Sequence, residues 1–278
     1  MNDSQTQTAY WSADIAMIGG GQMALALGEG FCRAGLLNAN KIIVYEPQSA
    51  ARERLAGRVT GICFASSAAE AVQAAHIVFL AVKPQQCPVA CQQIASALSP
   101  TSVVVSIVAG LSTTNLAALL GTRNIIRVMP NTPCLVGKGV SVVCHTPQVP
   151  IVDVDRVLAL LGSVGFVHAV EESLMDAVTG LSGSGPGFLA LMVEAFVEGG
   201  VRAGLPPHLA LALAVETLVG TGALLEQTGE QPAQIRERVS SPGGTTLAGL
   251  SVLEQYGVRT ALIEAVIAAA NRARELGQ

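Results

Sequence analysis

The sequence predicts an α/β N-terminal half built on a doubly wound parallel sheet, followed by an all-α C-terminal half that pairs subunits. Three observations carry this. Short, fully apolar, β-branched runs alternate with helical patterns as far as about Val170. A glycine-rich turn follows the first of those runs, and from Ser173 onward the β pattern vanishes, leaving helices that are apolar on nearly all sides. Fully apolar strands separated by helices imply a parallel sheet covered on both faces. The expected division is a disordered polar tail over 1–13, a dinucleotide-binding domain over 14–172 and a helical domain over 173–278.

In chain order, 15–18 reads as the first strand, followed by the glycine turn and an Ala/Leu-rich helix to about Ala34. Strands follow at 41–45, 77–82, 103–108, 124–129 and 140–144, each short and apolar. A helix over 153–161 and a last strand over 165–170 complete the half. Beyond it, helices are expected at 188–203, 208–227, 247–256 and 260–276. The turns between them are Gly204-Leu205-Pro206-Pro207 and Thr228-Gly229-Glu230-Gln231-Pro232. A helix apolar on nearly all sides cannot face water, so the C-terminal half predicts a dimer with shared packing.

Composition narrows the partners. Half of the 278 residues are hydrophobic and 13% are charged, and mean hydropathy is +0.50. No uninterrupted apolar run reaches about 18 residues, so the sequence reading rejects a membrane-spanning helix. The net charge of −4, with no basic patch, argues against nucleic acid and anionic membrane as partners. The leader has neither the charge nor the apolar stretch of a signal peptide. The six cysteines are scattered with no C-x-x-C and read as reduced buried thiols of a cytoplasmic protein, with Cys87 and Cys91 on one helix face. The four histidines show no zinc spacing and no evident Asp or Ser partner.

Gly19-Gly20-Gly21-Gln22-Met23-Ala24 has the G-x-G-x-x-A form of a Rossmann-like dinucleotide turn, set between a strand and a helix as that motif requires. Gly19 would permit the tight turn, Gly21 the approach of a pyrophosphate, and Ala24 close helix–strand packing. The second strand ends at Tyr45-Glu46-Pro47, 25 residues after Gly21. An acid there usually bonds a ribose 2′-hydroxyl and favours NADH; the alternatives are a solvated loop acid, or Arg52 reaching a phosphate. Ala81-Val82-Lys83-Pro84-Gln85 ends the third strand, where Pro84 would free the loop to line the nicotinamide site and Lys83 takes no proton role. Ala109-Gly110 offers a small-residue turn to a flat ring, and Asn131 and Thr132 sit in a proline-fixed loop. Hydroxyls and glycines crowd 176–186, either a linker or one wall of a cleft. Ser240-Ser241-Pro242-Gly243-Gly244-Thr245-Thr246 opens a helix with hydroxyls and backbone N–H groups and no cation, which makes a ready anion site or an ordinary helix cap.

In order and spacing, the motifs at 19–24, 81–85, 106–111, 127–133, 176–186 and 241–246 resemble those of pyrroline-5-carboxylate reductases. The resemblance spans about 14–276. It implies an N-terminal Rossmann domain, and a C-terminal helical domain that interlocks in a homodimer, often assembled further into a decamer. The implied reaction is hydride transfer from NADPH or NADH to the C=N carbon of 1-pyrroline-5-carboxylate, giving L-proline. Carried onto this chain, the coenzyme would be held by Gly19, Gly20, Gly21, Gln22, Met23, Ala24, Glu46, Ala81, Val82, Lys83, Pro84, Ala109, Gly110 and Asn131. The substrate would be held by Ser184, Ser241, Gly243, Gly244, Thr245 and Thr246, with the Thr179 hydroxyl at the ring nitrogen. The chain departs from the family at Gly187-Phe188, commonly Ala-Tyr, and at Glu46, where many members carry a phosphate-binding group. An already activated iminium needs no metal and no strong base; positioning would supply most of the rate. Two other readings are a different two-domain dehydrogenase, such as a 3-hydroxyacid dehydrogenase, and a non-catalytic nucleotide sensor. The first fits poorly, because the half beyond Ser173 holds no lysine and only His208 as an acid/base.

Overall fold

β1 (Ala13–Ile18) sends Ile15 and Met17 into one apolar core and Ala16 and Ile18 into another, none more than 1% exposed. The structure, a computed structural model, describes residues 13–277; of the expected tail only Ala13 is among them. Side chains alternate across a strand, so one apolar at every position must be covered on both faces. β4 (Ala75–Leu80) and β5 (Val103–Ser106) are buried in the same two-sided way.

With β2 (Ile42–Tyr45), β3 (Cys63–Phe64), β6 (Ile125–Met129), β7 (Gly139–His145) and β8 (Gly165–Ala169), these form one eight-stranded sheet in the order β3-β2-β1-β4-β5-β6-β7-β8. The strand order reverses between β1 and β4, which opens a crevice at their carboxyl ends. Every neighbouring pair is parallel except β6 and β7. The sheet is thus the parallel-dominated, doubly wound one expected, with β6–β7 its antiparallel pair. Residues 130–138 contain only a 3-10 turn, Thr132–Val136, too short a connection for a parallel crossover. β3 is a strand the sequence reading missed. It is two residues long and leaves no periodic trace.

The helices flanking the sheet are α1 (Gln22–Arg33), α2 (Ser49–Arg58), α3 (Ala68–Gln73), α4 (Cys87–Ile94), α5 (Thr113–Leu120) and α6 (Ile151–Gly162). The compact sheet unit does not stop at the expected 172–173 boundary. It runs through α7 (Met175–Val178) and a π-helical turn, Thr179–Gly183, and it also includes the chain from Ala269 onward.

The second unit, Ser184–Ala268, contains α8 (Gly185–Arg202), α9 (Pro207–Thr228), α10 (Pro232–Arg238), α11 (Thr245–Gln255) and most of α12 (Val258–Leu276). α10 was not expected. Only Ile235 is apolar and buried in it, so no hydrophobic stripe announces it, and a Gln231/Gln234 capping box starts it. α8 and α9 pack where Gly200 faces Ala210; a Cβ on Gly200 would lie 3.2 Å from the Ala210 Cβ. Among the described residues of this unit, only Ala210 and Ile235 are buried apolar side chains. Leu191, Phe196 and Val219 are 66%, 56% and 60% exposed. Two stretches, Glu172–Arg202 and Pro207–Thr228, are long and apolar enough to cross a membrane by length and composition alone. The lack of an uninterrupted apolar run is therefore not sufficient ground to exclude a membrane.

Candidate active site

The glycine turn is built by backbone crowding. Gly19 has φ +102°, and a Cβ there would lie 2.6 Å from the Ala81 carbonyl oxygen, so only glycine fits between β1 and the end of β4. Its N–H donates to the Tyr45 carbonyl at 2.9 Å. Gly20 donates to Glu46 Oε2 at 2.7 Å. Gly21 caps α1 in extended conformation, and a Cβ on it would meet nothing within 4 Å. The space in front of α1 is thus open, and the N–H groups of Gln22, Met23 and Ala24 have by position no intrahelical acceptor. An open cradle with helix-end N–H groups aimed into it fits a pyrophosphate.

That cradle opens into a cleft of about 610 Å³. Of the expected coenzyme residues, Gly19, Gly21, Gln22, Glu46, Ala81, Val82 and Lys83 line it. Gly20 is spent on Glu46, Ala24 is buried in the core, and Met23 packs partly buried against it. Pro84 starts the 3-10 turn Pro84–Gln86 that carries the chain away from the strand. The cleft also takes in Arg54 and one face of α4 with its N-cap: Gln86, Val89, Ala90 and Gln93. Their spacing of three and four is the signal by which the sequence could have shown them.

Glu46 is neither a loose loop acid nor an unengaged one. Its Oε1 accepts from the Gln48 N–H at 2.9 Å while Oε2 holds Gly20. Arg52 braces the same loop, its Nη1 donating to the carbonyls of Glu46 at 2.7 Å and Pro47 at 2.9 Å.

Ala109, Gly110 and Asn131 do not line this cleft. Gly110 (φ +86°) is pressed against the end of α12, where a Cβ would lie 2.8 Å from the Leu276 Cβ. Asn115 secures the same chain end by donating to the Gly277 carbonyl at 2.7 Å. Asn131 is buried, and its carboxamide is used twice. Nδ2 donates to the Ser182 carbonyl at 3.0 Å, and Oδ1 accepts from the Val140 N–H at 2.8 Å.

Within 176–186 the chain is helical rather than irregular: α7 ends at Val178, the π turn follows, and α8 begins at Gly185. Thr179 is buried and its hydroxyl donates to the Met175 carbonyl at 2.8 Å; Ser182 does the same to Val178 at 3.0 Å. Such back-bonds compete with regular helix geometry, and a π turn is where this helix yields. Below it, buried Arg127 reaches Glu172 and Asp176, each at 3.4 Å, and Glu172 also accepts the N–H and hydroxyl of Thr113, both at 2.6 Å. Arg274 approaches Asp176 at 3.9 Å. No feature of the sequence pairs these residues. Ser184 is the N-cap residue of α8.

The hydroxyl-glycine turn belongs to the helical unit. The Gly244 N–H donates to the Ser241 carbonyl at 2.9 Å across Pro242 and Gly243 (φ +68°). Proline second and left-handed glycine third is the chemistry of a type II turn. α11 starts at Thr245 with no side-chain cap, so the ordinary Ser/Thr cap is not what this turn provides. Its first N–H groups have by position no intrahelical acceptor, and Ser241, Thr245 and Thr246 are exposed.

Two expectations away from the site are corrected. His76 does have a partner, Asp153 at 3.0 Å, brought together from 77 positions apart. Cys63 is exposed and Cys32 partly so, while the other four thiols are buried. Cys87 and Cys91 lie 3.7 Å apart on α4. Pairing with Cys91 and burial push the Cys87 thiol up, and burial pushes Cys144 up to about 11.

The family profile described as pyrroline-5-carboxylate reductase dimerisation matches residues 172–276, and one described as NADP oxidoreductase, coenzyme F420-dependent, matches 14–110. A pyrroline-5-carboxylate reductase of Synechocystis is 42% identical over 96% of this chain and 99% of its own length. The chain belongs to the pyrroline-5-carboxylate reductase family. Human pyrroline-5-carboxylate reductase 2 is 39% identical, over 94% of this chain and 83% of that protein. The crystal structure of the Plasmodium falciparum family member, with NADP bound, superposes with TM-score 0.88 at 30% identity. It covers 96% of this chain and 98% of its own. The Coxiella burnetii member superposes with TM-score 0.86 at 31% identity over 96% and 99% of the two chains. The family assignment joins the sheet unit and the helical unit in one enzyme class, which neither the glycine turn nor the helices could do alone.

Proposed function

We propose that this chain reduces the C=N bond of 1-pyrroline-5-carboxylate with NADPH or NADH, forming L-proline in the last step of proline biosynthesis. The observation that carries the reading is likeness to pyrroline-5-carboxylate reductases along nearly the whole chain, with an open glycine cradle where such a reaction needs its dinucleotide. The coenzyme, when bound, supplies a hydride from the reduced nicotinamide ring to the imine carbon. The protein's part is placement. The start of α1 holds the pyrophosphate, and the ends of β1 and β4 fix where the ring lies. The turn at 241–246 receives the substrate carboxylate through the Ser241 hydroxyl, the Thr246 hydroxyl and the first N–H groups of α11. Thr179 serves the ring nitrogen as an acceptor, because its own proton is committed to the Met175 carbonyl. A protonated imine donates to such an acceptor and needs no further acid. Charge on the iminium nitrogen draws the hydride to the adjacent carbon.

The finer parts of the reading are these. Glu46, its carboxylate held by the Gly20 and Gln48 N–H groups, places negative charge where a 2′-phosphate would lie, so NADH serves at least as well as NADPH. The exposed apolar faces of α8 and α9 are covered by a second copy, and such dimers assemble into decamers. The protein works in the cytoplasm, with neither nucleic acid nor membrane as partner.

The test is oxidation of NADH and NADPH in the presence of 1-pyrroline-5-carboxylate or of 1-pyrroline, which lacks the carboxylate. The carboxylated imine should be reduced far more efficiently, and Thr246→Val should raise its KM by about tenfold or more while coenzyme affinity holds. Equal efficiency on the two imines would remove the carboxylate turn, and with it the substrate assignment.

A further inference from the structure

We propose that Asn131 is a positioning residue. It holds the π-helical turn Thr179–Gly183 at the carboxyl edge of the sheet and thereby sets the place of Thr179. Asn131 lies two residues beyond the end of β6, on the edge where the glycine turn also emerges. Its side chain is 7% exposed, and both ends of the carboxamide are engaged. Oδ1 takes the Val140 N–H and fixes the amide plane against β7. Nδ2 then points at the Ser182 carbonyl inside the π turn. Within this arrangement each end of the amide can play only one role: an amide flipped end for end would set a donor against the Val140 N–H and an acceptor against the Ser182 carbonyl.

A second contact fixes the same turn. Gly183 lies on Met129, the last residue of β6, so closely that a Cβ would clash with the Met129 thioether methyl. The turn is therefore held from below by a strand end and from the side by Asn131, while Arg127 fixes α7 just before it through Glu172 and Asp176. π turns recur at functional sites because the inserted residue re-aims neighbouring side chains. Here the residue aimed is Thr179, whose hydroxyl is pinned to Met175 at the start of the turn. The role of Thr179 at the imine rests on the function proposed above; the latch on the π turn does not.

The experiment compares wild type with Asn131→Asp and Asn131→Ser in three measurements: amide hydrogen exchange, coenzyme affinity by fluorescence titration, and imine kinetics. The aspartate variant keeps the size of the side chain and the acceptor for Val140, but it turns an oxygen toward the Ser182 carbonyl. Exchange across 179–186 should quicken by about tenfold or more. kcat/KM for 1-pyrroline-5-carboxylate should fall by about tenfold, with the coenzyme dissociation constant within about twofold of wild type. Asn131→Ser introduces no charge and should reproduce the same split in milder form, which separates lost positioning from repulsion of the substrate carboxylate. Unchanged exchange in 179–186 would overturn the latch whatever the kinetics. A weakened coenzyme with an unmoved imine KM would make Asn131 a coenzyme contact instead, and would also overturn it. A wild type that binds coenzyme but reduces no cyclic imine, with exchange still quickened in the variants, would end the functional reading and the catalytic half of this proposal together.

Discussion

The sheet unit and the helical unit use the same apolar residue types to opposite ends. In the sheet unit, Ile15, Val78, Val104 and Phe79 are wholly buried within one chain, and the strands satisfy both their backbones and their faces. In the helical unit, Leu191, Phe196 and Val219 stand more than half exposed, and only Ala210 and Ile235 are buried. Burying one such side chain is worth about 1.5–3 kcal/mol, so the helical unit leaves most of its stabilisation unrealised in a single copy. The sheet unit has a deep core of its own, although Phe166, Ile151 and Val152 stand exposed on it. The helical unit has almost none, and it is the part that matches a dimerisation family.

The sharpest way to break this contrast is to charge the exposed helix faces. Leu191→Glu with Phe196→Glu should shift the self-association constant by about a hundredfold or more and abolish activity with it. Sedimentation at submicromolar concentration reads the first effect. The same pair of charges on a truly solvated surface would do nothing, so a variant that sediments and reduces imine like wild type would dissolve the contrast. The next effect belongs to the sheet unit. Gly21→Val places a branched side chain in empty space, so stability should hold within about 1 kcal/mol while coenzyme affinity falls about a hundredfold. A thermal melt and a titration on one sample separate the two, and normal affinity would sink the dinucleotide cradle. The smallest effect should come from Glu46→Ser, which releases the Gly20 and Gln48 N–H groups and removes a charge. The ratio of kcat/KM for NADPH to that for NADH should rise by about tenfold or less. An unchanged ratio would mean that Glu46 only braces the loop.

The two units also differ in what their sequence discloses. The sheet was legible strand by strand, because a run such as Val103-Val104-Val105 has no polar face and can only lie inside a two-sided cover. The cradle was legible because Gly19 and Gly21 flank a strand–helix junction. β3 was not, being too short to show a period, and the reversed direction of β7 is written in the brevity of 130–138 rather than in β7 itself. α10 escaped because a polar helix with one buried isoleucine has no stripe to read. Where backbone geometry alone fixes a contact, as at Gly19, the sequence disclosed it; where a distant partner fixes it, the sequence did not. Nothing local to Asn131 says that its amide ends on Ser182, or to Arg127 that it meets Glu172 and Asp176. The helical faces were readable as apolar, but not as which residue meets which, since within one chain few of them meet anything.

The return of the last helix to the sheet unit has a topological consequence. The chain leaves that unit after Gly183 and re-enters it at Ala269, where Gly110 and Asn115 receive the final turn. The helical unit is therefore an insertion within the chain of the sheet unit, and that sheet unit is completed by residues from both sides of it. Asn115→Ala, which loses the bond to the Gly277 carbonyl, should for this reason loosen the sheet unit at a point 162 residues away in sequence.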